Sequence, residues 1–143
     1  MNPRLLCLSA LTVLTLAACA HRNSGARQPD PAYGRYLVEH VGMCHDCHSP
    51  RNAKGEFLRE QWLAGAPLPF QPTIEMPWAP VAPPIAGLPS LTDEQAVNFF
   101  TTGELPGGRK PRPPMPEFRF DGRDAHDVLA YLRSLRPKVA KSH

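Results

Sequence analysis

Apolar residues recur at helical spacing in three short segments of the chain. The first predicted helix covers 31–41. Asp30 suits its N-cap, and Pro31 suits the first helical position, where the missing N–H has no helical partner in any case. The apolar stripe of this helix consists of Tyr33, Tyr36, Leu37 and Val41.

Two glycines qualify this prediction. Gly34 lies in the second turn of the predicted helix, where glycine is destabilising by about 1 kcal/mol relative to alanine. A close packing contact with another element would explain its presence. Gly42 ends the helix, and a pair of cysteines follows directly.

The other two helices lie in the second half of the chain. One has Thr92 as N-cap, Gln95 three residues later in a capping-box arrangement, and Gly103 as its stop. The last covers 124–135 and ends before Pro137. This helix presents the apolar residues Val128, Leu129, Tyr131, Leu132 and Leu135 and carries Arg133 and Arg136 at its negative end.

Proline dominates the stretch over 66–116, which holds 13 of the 18 prolines. Neither a regular helix nor a central strand persists through such spacing. Apolar residues such as Ile74 are interleaved with the prolines, which predicts an ordered loop wrapped over a large apolar surface. No β-alternation is present, so the predicted fold class is all-α, with three to four helices and long proline-rich loops in one domain.

The first residues have the pattern of a cleavable export signal. Arg4 precedes an almost wholly apolar run over 5–18, which is too short to span a bilayer comfortably. We therefore assign 1–18 to a signal peptide and the polar segment 19–30 to a flexible tether, with 138–143 as a tail. The protein is expected to act outside the cytoplasm.

The run Leu16-Ala17-Ala18-Cys19 resembles the lipobox of bacterial lipoproteins. The resemblance implies that Cys19 carries lipid and anchors the protein on the periplasmic side of a membrane. The residue after the cysteine is Ala20 and not aspartate, which by resemblance to Gram-negative lipoproteins favours the outer membrane. An ordinary cleavage site is the alternative, because Ala18-Cys19-Ala20 also satisfies a small-x-small rule.

A tight cysteine pair occurs in the run Cys44-His45-Asp46-Cys47-His48. The C-x-x-C-H pattern is the attachment signature of c-type haem. Two thiols at this spacing reach the two vinyl groups on one porphyrin edge, and the next residue presents its imidazole to the iron. Cys44 and Cys47 are therefore the predicted thioether links of one haem, and His48 is the predicted proximal ligand. His45 and Asp46 are expected as surface positions.

Two other kinds of C-x-x-C site compete with this interpretation. A zinc site needs four ligands, and no second C-x-x-C or H-x-H group is present in the sequence. A thioredoxin-like couple requires a strand before the cysteines, and none is predicted there. Both readings are therefore disfavoured relative to haem.

The sixth coordination position of a haem iron decides between electron transfer and other chemistry. Met115 lies in a rigid run with Pro114 and Pro116, just before the last helix, and is the predicted distal ligand. Met76, which precedes Pro77, is the rival. A site in which neither methionine binds iron is the third option.

Helix, C-x-x-C-H, proline-rich loops, methionine loop and terminal helix together resemble class I cytochrome c over 31–137. The resemblance implies one haem enclosed by the loops, and a crossing of the first and last helices at Gly34 against Tyr131 and Leu132. It also implies that a backbone carbonyl, best matched by Pro83, accepts the Nδ1 proton of His48.

The stretch over 51–80 is longer than in compact members of this family and resembles the loops of cytochromes that accompany periplasmic dehydrogenases. It contains Trp62 and Trp78, which are candidates for hydrogen bonds to haem propionates or for shielding the haem edge. Plain packing of these rings is the alternative.

These features predict a mono-haem carrier of single electrons and not an enzyme. The expected partners are a periplasmic dehydrogenase or a terminal oxidase or reductase. No basic stripe of the nucleic-acid-binding kind is present, and the small patch of Arg109, Lys110 and Arg112 is either a solvated loop or a docking rim for an acidic redox protein. A haem sensor or small haem enzyme with an open distal side, or a subunit of a larger respiratory complex, are the alternatives.

Overall fold

The computed structural model describes residues 27–135. The predicted signal peptide, Cys19, most of the tether, Pro137 and the tail lie outside the described residues. Helices dominate this part of the chain, in agreement with the predicted all-α class. None of its helices has the length and apolarity needed to cross a bilayer.

The first predicted helix forms, but in two parts. Helix α1 covers Pro31–Tyr36, and the Asp30 side chain accepts hydrogen bonds from the amides of Ala32 and Tyr33. The chain then continues as a π-helix over Leu37–Val41, where the Gly42 amide donates to the Leu37 carbonyl at 2.7 Å. The wider π turn was not predicted, because the apolar spacing does not distinguish it from an α turn.

Three further α-helices follow among the described residues, with a 3-10 helix over Arg59–Gln61 between the first two. Helix α2 is a single turn over His45–His48 and was not predicted. Helix α3 covers Asp93–Thr102 and has the predicted capping box, with Gly103 in the left-handed conformation at φ 73°. Helix α4 covers Gly122–Ser134. It begins two residues earlier than predicted because Asp121 is its N-cap and accepts from the Asp124 amide at 2.9 Å.

Helices α1 and α4 cross at Gly34, and their backbones touch. A Cβ built on Gly34 would lie 1.9 Å from the Asp127 carbonyl oxygen and 3.0 Å from the Val128 nitrogen. The expected close contact at Gly34 is therefore confirmed. Its partner differs from the expectation of Tyr131 and Leu132, because the two backbones approach so closely that the glycine meets a carbonyl and not an aromatic ring.

A two-stranded antiparallel sheet closes the proline-rich loop. Strand β1 covers Ala66–Pro67 and strand β2 covers Val81–Ala82, with Ala66 opposite Ala82. Strands of two residues are too short to show an alternating pattern, so the sequence did not predict them. The sheet forms a neck that brings the two ends of the 66–82 loop together.

Several apolar side chains of this loop and of its neck are not buried against the helical core. Phe70, Ile74, Met76 and Val81 remain exposed, Ile74 to 70%, whereas Leu88 is buried in the core. Phe70 packs edge-on against Trp78, with ring centroids 5.8 Å apart. Because the neck joins the loop ends directly, the loop covers little of the helical core. The core itself lies between α1, α3 and α4 and is formed by Val38, Leu63, Leu88, Ala96, Phe99, Phe100, Val128 and Leu132.

Candidate functional site

The two cysteines lie at the start of helix α2. Cys44 is the N-cap of this turn, and its carbonyl accepts from the His48 amide at 2.9 Å. Residues three apart on one helical turn lie on the same face, so Cys44 and Cys47 lie on one side of α2. Both are free thiols and partly buried.

The environment keeps these thiols protonated. Burial raises the pKa of Cys44 to about 11, and burial followed by the nearby Asp46 carboxylate raises the pKa of Cys47. The reactive cysteines of thiol redox couples have the opposite property, a depressed pKa. Within residues 27–135, moreover, no group of three or more His, Cys, Asp and Glu side chains is arranged to hold a metal ion. The raised thiol pKa values are thus unlike those of a thiol couple, and the described residues do not present the ligand set of a zinc site.

His48 ends the same helical turn and points into the protein. His48 is only 5% exposed, and its Nδ1 lies 2.7 Å from the carbonyl oxygen of Pro83. Burial lowers the pKa of the His48 imidazole, while the bond to Pro83 acts in the opposite direction. The neutral ring donates its Nδ1 proton to Pro83, which leaves Nε2 as the nitrogen that can bind a metal.

Backbone hydrogen bonds hold the Pro83 segment beside α2. The Gly65 amide donates to the His48 carbonyl at 2.8 Å, and the Ile85 and Ala86 amides both donate to the Leu63 carbonyl. A Cβ on Gly65 would lie 2.8 Å from the Pro84 nitrogen, and Gly65 has φ 87°. Only a glycine therefore allows this close approach of the two segments.

The two candidate methionines differ in their surroundings. Met115 is half-buried and packs against the same hydrophobic core as Cys44. Its loop is tied to the proline-rich stretch, because the Ala79 amide donates to the Pro113 carbonyl at 2.8 Å. Met76 lies on the exposed part of the 66–82 loop. Of the two, Met115 is the one that the fold directs towards the protein interior.

The two tryptophans also differ. The Nε1 of Trp62 donates to the Glu39 carboxylate at 3.1 Å, so its polar group already has a partner in the protein. The Nε1 of Trp78 is buried and has no hydrogen-bond partner among the described residues. A buried donor of this kind is costly unless an acceptor is supplied. Trp78, and not Trp62, is therefore the candidate for a bond to a bound group.

Glu39 is the centre of a polar network that sequence reasoning missed. Its side chain is 11% exposed and accepts hydrogen bonds from Tyr131 at 2.5 Å, Trp62 at 3.1 Å and Arg35 at 3.0 Å. The network joins the π turn, the loop before β1 and α4. A hint in the sequence is a carboxylate close to the apolar residues Leu37, Val38 and Val41 of the first predicted helix.

The network shifts the pKa of both its acidic members. Burial raises the pKa of the Glu39 carboxyl, but the hydrogen bonds from Tyr131, Arg35 and Trp62 outweigh it, so the net pKa lies below the ordinary 4.5. Burial, together with the bond to this carboxylate, raises the pKa of Tyr131 to about 12. The ionised form of Glu39 is thus the form that the fold stabilises.

We expect Glu39→Gln to lower the free energy of unfolding at pH 7 by about 1–2 kcal/mol, because hydrogen bonds to a charged acceptor are lost. A depressed pKa stabilises the folded state above the ordinary carboxyl pKa and loses that contribution as pH falls through the folded value. The difference between the two proteins should therefore shrink as the pH falls below the ordinary carboxyl pKa of 4.5. Urea unfolding from pH 7 to pH 3 measures it. Glu56→Gln, at an exposed carboxylate that accepts one bond from Asn52, is the control, and a pH-independent difference for Glu39→Gln would contradict the expectation.

His45 is more buried than the expected surface position. Its ring stacks on Trp62 with centroids 4.9 Å apart and an interplanar angle of 21°, and it meets Phe57 edge-on. The guanidinium of Arg51 lies 3.6 Å from the Phe57 ring centroid, and that of Arg59 lies 4.5 Å from Trp62. The long 51–62 segment thus packs directly on α2. Asp46 is exposed, as expected.

Comparison with known proteins adds to this geometry. No protein-family model matches the chain. A segment of 45 residues is 49% identical to a diheme cytochrome c-type protein of Cereibacter sphaeroides and covers 32% of this chain and 15% of that protein. A segment of 111 residues is 27% identical to the fructose dehydrogenase cytochrome subunit of Gluconobacter japonicus and covers 74% of this chain and 22% of that subunit.

Both relatives are cytochromes. The similarities support a c-type cytochrome. The chain spans less than a quarter of the length of either relative, so their whole-protein properties do not transfer directly.

The described residues fit the covalent haem of a c-type cytochrome. Two protonated thiols lie on one face of a helical turn, and the buried His48 has its Nδ1 occupied and its Nε2 available. The buried Nε1 of Trp78 lacks an acceptor, which a haem propionate would supply. Exposed apolar side chains on the 66–82 loop offer further contact surface for a planar apolar group. The donor set and the polar atoms agree in type with such a group.

Proposed function

We propose that this chain is a mono-haem c-type cytochrome that carries single electrons between redox proteins outside the cytoplasm. The observation that carries the proposal is the buried His48, aligned by the Pro83 carbonyl at 2.7 Å directly after a C-x-x-C pair. A haem bound there would supply one-electron chemistry through its iron. The comparison with two cytochromes supports the same assignment.

The residues of the chain have distinct roles in this proposal. Cys44 and Cys47 hold the haem through thioether bonds, and His48 binds the iron on the proximal side. Pro83 orients the imidazole and raises its basicity by accepting the Nδ1 proton. Met115 would supply the second, distal ligand to the iron, and a thioether ligand favours the reduced state.

Electron transfer in this arrangement requires that the axial ligands stay in place. His48 is buried and anchored, and the Met115 loop is tied through Pro113 to the 66–82 loop. Ligand residues held in place in this way would limit structural change when a bound iron changes its oxidation state. In this proposal the chain carries electrons and does not catalyse a reaction of a substrate.

A periplasmic dehydrogenase is the proposed partner, and association as a subunit is the second form of this function. The similarity to the cytochrome subunit of a fructose dehydrogenase favours it. Attachment to the membrane through lipid on Cys19 completes the proposal. Arg27, the first described residue, follows Cys19 by eight positions, which allows a span of at most about 28 Å when extended.

The distal ligand decides between this carrier and a haem sensor or enzyme with an open site. We expect the purified reduced protein to bind carbon monoxide poorly and the oxidised protein to show the far-red absorption band of methionine–iron ligation. Met115→Ala should lose that band and bind carbon monoxide readily, because the sixth position becomes free. Absorption spectra with and without carbon monoxide measure both properties.

Met76→Ala is the matched control and should behave as the wild type, since Met76 lies on the exposed part of its loop. Ready uptake of carbon monoxide by the wild-type protein would overturn the carrier in favour of the open-site function. Loss of the far-red band in Met76→Ala alone would move the distal ligand to Met76.

A further inference from the structure

Arg133, in the last turn of α4, uses its guanidinium in an unusual way. It donates to the backbone carbonyls of Gly87, Leu88 and Leu91 at 2.5, 2.8 and 2.6 Å, and to the Asp93 carboxylate at 2.8 Å. The side chain is only 17% exposed. A cation that merely interacted with the helix dipole would not need these four contacts, three of which go to one loop segment.

The segment that Arg133 holds is the continuation of the one that contacts His48. The Gly87 amide donates to the Leu132 carbonyl at 2.7 Å, so Gly87 is bound to α4 through both its amide and its carbonyl. Gly87 and Leu88 both have positive φ, 73° and 46°. A leucine in this conformation is strained and persists only when its surroundings enforce it. Arg133 binds the carbonyls of these two residues.

Pro83 lies four residues upstream of Gly87 and has no backbone N–H with which to hold its own position. Pro83 and Pro84 lack an N–H, so neither donates a backbone hydrogen bond. Their position is fixed upstream by the pairing of Ala82 with Ala66 in the neck. Downstream it is fixed by two anchors, the Ile85 and Ala86 amides on Leu63 and Gly87 on α4. Because proline has a fixed φ, the short segment between the neck and Gly87 has few ways to absorb a displacement of Gly87 without moving the Pro83 carbonyl.

We propose that Arg133 is a positioning residue for the proximal histidine: it holds the 87–91 backbone and thereby keeps the Pro83 carbonyl on His48 Nδ1. The inference rests on the proposed function, because its consequence appears at a haem iron. Loss of the clamp weakens the bond to Nδ1 and makes the imidazole less basic. A less basic ligand stabilises the oxidised iron less, so the reduction potential rises.

The test compares Arg133→Met with Arg27→Met in the haem-loaded full chain. Arg27 also binds α4, through Asp127 on another turn, and so provides a loss of stability without contact to the 83–91 segment. We expect the His48 Nδ1 proton of reduced Arg133→Met to exchange with water at least about tenfold faster than in the wild type. We also expect its reduction potential to be higher. Arg27→Met should change neither property. Nuclear magnetic resonance and redox titration measure them.

Unchanged exchange and potential in Arg133→Met would overturn the inference and leave Arg133 with a structural role only. If Arg133→Met does not fold, Arg133→Gln replaces it, because the shorter amide cannot make the same four contacts. Proton exchange at His48 Nδ1 and the reduction potential are then compared in the same way. A wild-type protein without covalent haem would instead overturn the proposed function, and the inference with it. The two failures are thus distinguished before any variant is compared.

Discussion

Replacing Cys44 and Cys47 together by serine is expected to abolish covalent haem attachment. Serine has no thiol to add to a vinyl group, so the double variant can hold haem only through His48 and packing. Acidified organic solvent should extract essentially all haem from the variant and essentially none from the wild type. The intact mass of the wild-type chain should exceed that of the variant by one haem, beyond the two atom replacements.

Cys19→Ser is the control for this result, because it is also a cysteine-to-serine change but lies outside the haem motif. It should retain covalent haem. Haem staining of the denatured double variant, or a mass increase by two haems in the wild type, would contradict the mono-haem proposal. The second outcome bears on the comparison, since one relative is a diheme protein.

The second large effect is expected at the crossing of α1 and α4. We expect Gly34→Ala to lower the free energy of unfolding by at least about 3 kcal/mol, because the new methyl group would overlap the Asp127 carbonyl and the helices must separate. Domains of this size have a total stability of about 5–15 kcal/mol, so the variant should be visibly destabilised in urea unfolding.

Gly122→Ala provides the matched control within α4. A Cβ at Gly122 would meet nothing within 4 Å, and this residue is helical, so alanine should be neutral or stabilising by up to about 1 kcal/mol. Equal unfolding free energies for the two alanine variants would show that the helices adapt to a side chain at Gly34. The close crossing would then have no energetic importance.

The helix ends could be predicted because each depends on residues adjacent in the chain. Thr92 and Gln95 exchange hydrogen bonds over three residues, and Asp30 caps α1 over two and three. The predicted start of α4 at residue 124 is two residues late, because Asp121, directly before Gly122, acts as the cap. The π turn was missed because its extra residue per turn leaves no mark in the apolar spacing.

The loop between the neck strands shows where such reasoning ends. Apolar residues at 70, 74, 76 and 81 predicted a loop wrapped over a large apolar surface, and the helical core is not that surface, because these side chains are exposed beside it. Burial of a proline-rich segment depends on what surface it meets, and the pairing of Ala66 with Ala82 decides that. The two short strands are defined by this pairing between distant residues, and β propensity along the chain does not mark them.

The sequence by itself determined the C-x-x-C-H motif, the helix caps and the glycine that admits a close crossing, because these depend on side-chain type at short spacing. Only the tertiary structure decided that Tyr131, 92 residues away, binds Glu39 and that Arg133 holds Gly87. It also placed the Pro83 carbonyl on His48, a pair that resemblance suggested but composition could not. Every residue has a backbone carbonyl, so side-chain identity does not mark which one accepts a proton across 35 residues of chain.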